Sequence, residues 1–252
     1  MVVAHPGHEL RVLHWLEACQ PTVFVLTDGS GRLGKSRLNS TSRVLARARA
    51  SHGTIYGRYS DRAIYQAVLN TNTSLFSRLT DELADALIHD EIEFVLGDAA
   101  EGEYMVHDLW REVRLAAVQR ASSVLGYEMA HFEFPVDMHP LSCPKGVESA
   151  AIYFRLNERD FLKKQSAVQT YPEIHQFALA AYQEFGQNAF RNEQLFPVTD
   201  KSLFQPDMHQ PPPYELHGEK LVAAGCYPQV VRYRDHLRPI MRSLQRLSKQ
   251  AA

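Results

Sequence analysis

MVVAHPGHELRVLHWL (residues 1–16) decides how the rest of the chain is read. Met1 to Ala4 form a short apolar run of the kind that makes a buried strand. His5 and His8 then flank a Pro-Gly pair, and Leu10, Leu13 and Leu16 follow at helical spacing. A strand that runs into a polar turn and then a helix is the opening unit of an α/β sheet. In such sheets ligands bind beyond the C-terminal ends of the strands. Two imidazoles at that place fit either a phosphate-handling loop or a metal site.

Working outward, the strand-turn-helix unit recurs. PTVFVLTDG (21–29) is a β-branched strand stopped by Asp28 and Gly29. VLARARASHG (44–53) reads as a helix with Gly53 just past its end, and GTIYG (53–57) as a weak strand. TSLFSRLTDELADALIHD (73–90) is amphipathic and helical. IEFVLGDAAEG (92–102) is a third strong strand, with Asp98 at its end. VHDLWREVRLAAVQRASSVLG (106–126) is a helix closed by Gly126, and YEMAHFEFP (127–135) is strand-like. This alternation predicts an α/β fold with a mostly parallel, Rossmann-like sheet flanked by helices. The second half is less regular. A strand is expected over 150–156, a helix capped by Asn157, a further helix after Pro172, an irregular Pro-rich stretch over 204–218 and a closing basic helix over 230–247. The expected organisation is one domain over 1–252. Its sheet core, with the site, spans 1–135, and a C-terminal elaboration spans 136–252.

The chain has 252 residues, 45% hydrophobic and 22% charged, with a net charge of −2. That length suits one α/β domain, and the charge gives no case for nucleic acid or an anionic membrane. Cys19, Cys143 and Cys226 are too scattered for a disulfide framework or a CxxC knuckle. No run reaches the roughly 18 apolar residues of a membrane span. With no secretory signal read at the N-terminus, a cytoplasmic location is expected.

The three strong strands end at His5, Asp28 and Asp98, and polar residues crowd after each. Sheet geometry alone brings His5, His8, Asp28, Asp98, Glu101 and His107 to one edge. His107, near a helix N-terminus, sits where the dipole disfavours imidazolium and a neutral, metal-bound ring is comfortable.

Two families have motifs similar to this edge. HPGH (5–8) fits the HxGH of nucleotidyltransferases, and NSTSR (39–43) resembles their later basic signature. That second signature should follow a much later strand, whereas here it follows the second one. VVAHPGHE (2–9) resembles the AHPDDE signature of the LmbE-like family, which includes the N-acetylglucosaminyl-phosphatidylinositol de-N-acetylases (PIG-L). EYMVHDL (103–109) and the helix LNERDFLKKQSAVQTY (156–171) extend that resemblance over about the first 175 residues.

The LmbE-like resemblance implies a zinc-dependent deacetylase acting on N-acetylated amino-sugar conjugates. It implies that His5 and His107 bind Zn²⁺ or another divalent metal, with His8 in place of a ligand aspartate. Imidazole and carboxylate both bind Zn²⁺ at about 2.0–2.2 Å, so the exchange is chemically permitted. Gly7 stands where the family has its general base. Asp98 is the first candidate to replace that base and Glu101 the second. Tyr104, where the family often has a histidine, is a candidate oxyanion donor. Glu9 and Asp108 would support the ligands. Asp28, Arg37 and Arg43 follow the second strand and would contact a small-molecule glycoconjugate through its hydroxyl, phosphate or carboxylate groups. The Pro-rich stretch (205–215) and RYRDH (232–236) would close over the site or make a homo-oligomer contact. The remaining alternative is a degenerate family member that binds metal or sugar without hydrolysis.

Overall fold

The computed structural model describes residues 1–207 and 210–250. The fold is α/β. Seven strands, β1 (Val2–Val3), β2 (Thr22–Thr27), β3 (Ser51–Tyr59), β4 (Phe94–Asp98), β5 (Ala130–Phe134), β6 (Ile152–Arg155) and β7 (Asn192–Pro197), lie in the order β3-β2-β1-β4-β5-β7-β6. The first five are parallel, and β7 and β6 add an antiparallel edge. The chain builds outward from β1 to β3, then returns to start again at β4. β1 and β4 therefore bound a topological switch point, where the flanking connections part and leave a crevice.

β1 is only two residues long because its neighbours cover it completely. Val2 pairs with Phe24 and Gly97, and Val3 with Val25. Their side chains point to opposite faces, and each enters a different core. Val2 packs with α3 (Asp61–Leu69), α4 (Thr73–His89), α5 (Met105–Leu125) and α9 (Arg238–Gln250). Val3 packs with α1 (Leu13–Cys19), α2 (Leu38–Ala48) and α6 (Glu158–Gln169). This is the three-layer arrangement expected of a parallel sheet.

Several local readings change. The helix of 44–53 begins at Leu38 and ends at Ala48, where Arg49 takes a left-handed φ of 58°. Gly53 lies inside β3, where a Cβ would stand 2.3 Å from the Phe24 ring. α3 was not anticipated, although Ser60 caps it by accepting the Ala63 amide. β7 was also unforeseen. Its Glu193 looks like a surface residue but is buried, where it accepts the His14 and Trp15 amides at the start of α1 and the ammonium of Lys164. The Pro-rich stretch is not irregular throughout. α8 (Pro213–Ala223) starts within it, while Met208 and His209 lie outside the described residues. RYRDH forms a π-turn over Tyr233–Leu237 that leads into α9, and Arg232 joins it to Glu215 and Glu219 on α8. α7 (His175–Phe185) follows Pro172, and Asn157 caps α6 as expected. Among the described residues, no helix is long and apolar enough to cross a membrane.

One residue of β4 is fixed by packing across the sheet. Arg114 on α5 is fully buried and lies against Gly97, and a Cβ there would fall 1.6 Å from Arg114 Nη1 and 2.4 Å from the Val2 carbonyl. The guanidinium donates to the Asp98 carbonyl and to Glu133. Gly97→Ala must displace a buried charge or split β1 from β4, so it is expected to destabilise the fold by about 3 kcal/mol or more. Urea unfolding of the variant checks this, and an unchanged midpoint would contradict the packing.

Candidate metal centre

Each of the five parallel strands delivers a polar group to the same edge. His5 and His8 follow β1, Thr27 ends β2, Asp61 follows β3, Asp98 ends β4 and Asp137 follows β5. Gly7 makes the tight turn after β1 possible. Its φ is 107°, and its amide donates to Glu9 at 2.7 Å. Glu9 is buried and also accepts from Thr41, which in turn meets the Tyr171 hydroxyl. Glu9 therefore holds the turn that carries both histidines.

The three nominated histidines come together. The ring centres of His5 and His8 are 5.4 Å apart, those of His5 and His107 5.1 Å, and those of His8 and His107 4.7 Å. Three imidazoles on one tetrahedral ion would hold their ring centres about 5 Å apart. The rings pack edge to face. Each Nδ1 has an oxygen neighbour. His5 Nδ1 meets Thr27 Oγ1 at 2.7 Å and Asp61 Oδ1 at 3.2 Å. His8 Nδ1 meets Asp98 Oδ2 at 2.9 Å, and His107 Nδ1 lies 3.3 Å from Asp137 Oδ2. Among the described residues, no Nε2 of the three makes a hydrogen bond. For His5 and His8, an oxygen partner on one ring nitrogen and freedom on the other is the arrangement of a metal-binding histidine, whereas the Asp137 contact of His107 is not a hydrogen bond and leaves Nδ1 of that ring open as well.

The nominated carboxylates divide. Asp98 is buried against His8 and also accepts the Ala4 amide at 2.7 Å. Burial opposes its charge, but the charges of His8 and His107 hold it below the usual carboxylate range. Glu101 is buried too, and its two oxygens accept the amides of Val136, Asp137 and Met138. Burial, and then the charge of Asp137, push Glu101 up to about 7. Asp108 supports the β4–α5 loop as expected, accepting the Glu101 and Gly102 amides. Tyr104 stands exposed at the mouth, its ring 5.2 Å from that of His107.

The basic loop after β2 divides as well. Arg37 stacks its guanidinium on Phe177, 5.2 Å from the ring centre, and Tyr171 donates to its carbonyl. It reaches the loop of Gly29 and Gly31, and the Gly31 amide donates to Asp61. Arg43 is exposed on α2 and tied to Ser40. Asp28 is spent on its own turn, where it accepts the Ser30 amide.

Asp61, Asp137 and Thr27 complete the centre, and none was nominated from sequence. Ser60-Asp61 carried a helix-start signal, but nothing local reveals that Asp61 faces His5. Glu101, His107 and Asp137 form a largely buried group whose ligand atoms lie within 4.8 Å of one another and which could hold a metal ion. Four buried polar atoms at this edge have no hydrogen-bond partner among the described residues: Asp61 Oδ1, Asp98 Oδ1, His107 Nδ1 and Asp137 Oδ2. Orphaned buried atoms of this kind are costly, and a cation with its water would satisfy them. The residues therefore fit a divalent ion. A cavity of about 730 Å³ between α1, α2 and α6 shares none of these residues.

The chain matches no protein-family model, no curated protein and no solved structure.

Burial alone would lower the pKa of His107, but Asp137, aided by Asp98 and Glu101, lifts it to about 9. The folded value exceeds the ordinary 6.5, so the ion-free protein gains stability from this group that is fully present below pH 6.5. That stability is lost as the pH rises through 9. Asp137→Asn removes the main support. The melting temperature of ion-free wild type should exceed that of the variant at pH 6, with the gap closing by pH 9.5. A gap that is constant or widens over that range would contradict this assignment.

Proposed function

We propose that the chain is a divalent-metal hydrolase that removes an N-acetyl or other N-acyl group from an amino-sugar compound. The observation that carries this reading is the meeting of His5, His8 and His107 at the sheet's switch point, ringed by orphaned carboxylate oxygens. The resemblance of VVAHPGHE (2–9) to the LmbE-like signature supplies the reaction type. A bound Zn²⁺ would polarise the acyl carbonyl and make water a nucleophile near neutral pH.

The chain's own residues divide the remaining work. His5, His8 and His107 hold the ion. Thr27 and Asp98 accept from Nδ1 of His5 and His8, which fixes the tautomer and leaves each Nε2 for the metal. Partial desolvation, and then the charges of Asp137 and Glu103, push the Tyr104 hydroxyl above its usual range, so it stays protonated and can donate to the oxyanion. Arg37, braced on Phe177, receives a hydroxyl, carboxylate or phosphate of the substrate.

Of the two carboxylates nominated as base, Glu101 suits the role better. Its raised pKa lies near neutrality, where a group can both take and return a proton. Three amides occupy its oxygens, which leaves one lone-pair direction for that proton. Asp98 already accepts two hydrogen bonds at one oxygen and serves to orient His8.

A second reading, metal or sugar binding without hydrolysis, is favoured by one observation. At Gly7 a Cβ would lie 3.0 Å from Ile174 and 3.7 Å from both the ring and the hydroxyl of Tyr171, so the place of the missing base is occupied by those two side chains. The nucleotidyltransferase reading loses support. Thr41 of NSTSR (39–43) is buried and its hydroxyl is taken up by Glu9 and Tyr171.

Acetate release from N-acetylglucosamine conjugates by the zinc-loaded protein tests the proposal. Wild type should release acetate, and His107→Ala should lose both the ion and the activity. Glu101→Gln should keep the ion and lose about 10²–10⁴-fold in rate. A fully zinc-loaded wild type that releases no acetate across a panel of such conjugates would sink hydrolysis in favour of the binding reading.

A further inference from the structure

Asp137 is held with unusual care for a residue in a short loop. Glu101 accepts the amides of Val136, Asp137 and Met138, while Arg11 donates to the carbonyls of Pro135 and Met138. Two oppositely charged side chains thus clamp the loop from both sides, and burying them is worthwhile only if the loop must stand in one place. What the clamp presents to the centre is the Asp137 carboxylate.

That carboxylate differs from the other two acids beside the histidines. Asp98 Oδ2 accepts two hydrogen bonds, and Asp61 Oδ2 accepts the Gly31 amide. Among the described residues, neither oxygen of Asp137 accepts one. Its Oδ2 lies 3.3 Å from His107 Nδ1, yet both atoms remain without a hydrogen-bond partner although buried. A group that merely orients a ring would bond to it as Asp98 bonds to His8, at 2.9 Å. Two donors that share a tetrahedral ion at about 2.0–2.2 Å each stand about 3.3–3.6 Å apart, which is the separation found here. Glu101 is the third member of the same close group, but its amide bonds make it the anchor of the loop. The charge balance agrees. Three neutral imidazoles leave a divalent ion's full charge uncompensated in a buried site, and one carboxylate ligand halves it.

We propose that Asp137 Oδ2 is itself a ligand of the divalent ion held by His107, so that the centre is three histidines and one aspartate. This rests on the metal-centre reading above.

Asp137→Cys loaded with one equivalent of Co²⁺ tests it directly. A thiolate at this position should give a near-ultraviolet sulfur-to-cobalt charge-transfer band that cobalt-loaded wild type lacks. Asp137→Asn should bind Zn²⁺ about 100-fold more weakly, or worse, in competition with a chelator, and its cobalt ligand-field spectrum should change shape. Asp98→Asn, which removes only an orienting group, should weaken binding but leave the shape of that spectrum intact. If wild type binds Co²⁺ at one equivalent and the cysteine variant, equally loaded, has no new band, Asp137 is not a ligand and the histidine centre stands without it. If wild type binds no Co²⁺ at all, the metal centre and this proposal fall together.

Discussion

Asp98 Oδ2 accepts two hydrogen bonds, from the Ala4 amide at 2.7 Å and from His8 Nδ1 at 2.9 Å, and the whole edge is built around that pair. One bond fixes the end of β4 against the end of β1, across the switch point. The other fixes the first imidazole-bearing turn against the same carboxylate. Arg114 then holds the Asp98 carbonyl from within the core, which is possible only because Gly97 has no side chain. The switch point is thus closed by polar bonds inside the protein and opens only toward the three imidazoles.

Around that anchor lies a concentration of buried charge that the chain does not fully neutralise. Glu9, Glu101 and Asp108 are each pushed up to about 7, with burial the leading cause. Each is tolerated because main-chain amides donate to it, and each thereby fixes a loop: Glu9 the first turn, Asp108 the start of the β4–α5 loop, Glu101 the loop after β5. Glu9 and Asp108 are scaffolding, while Glu101 also belongs to the close group with His107 and Asp137. Asp61, Asp98 and Asp137 are different, because burial opposes their charge and yet neighbouring histidines keep all three below the usual range. A buried group of anions and imidazoles with orphaned atoms is an electrostatic arrangement completed by a cation.

The parts of this centre that sequence revealed are those whose position follows from the sheet. His5, His8 and Asp98 sit at strand ends, and His107 starts the helix after β4, so the parallel topology alone gathers them. Gly97 and Arg114 gave no such signal, because their contact is a matter of depth across the sheet. Asp61 and Asp137 were missed for a related reason. Asp61 opens a helix and Asp137 stands in a loop, both places where an aspartate is ordinary, and only the return of β3 and β5 to the same edge brings each to an imidazole. Glu193 carries no local signal of burial, and α8 is hidden in sequence by the prolines around its start. Glu193 is buried because it caps α1 and pairs with Lys164, and α8 is kept in place partly by the Tyr214 amide bonding to Gly102. The basic loop illustrates the limit from the other side. Sequence could nominate Arg37 and Arg43 together, but six residues of helix turn them apart, one to the site and one to solvent.

The central claim is that one divalent ion belongs at the C-terminal edge of this sheet, among His5, His8 and His107. Anomalous diffraction at the zinc edge, from crystals of the purified protein supplied with one equivalent of Zn²⁺, tests it most directly. The account predicts a single strong peak within bonding distance of those three imidazoles. A peak elsewhere, or none with the imidazoles well ordered, would contradict it.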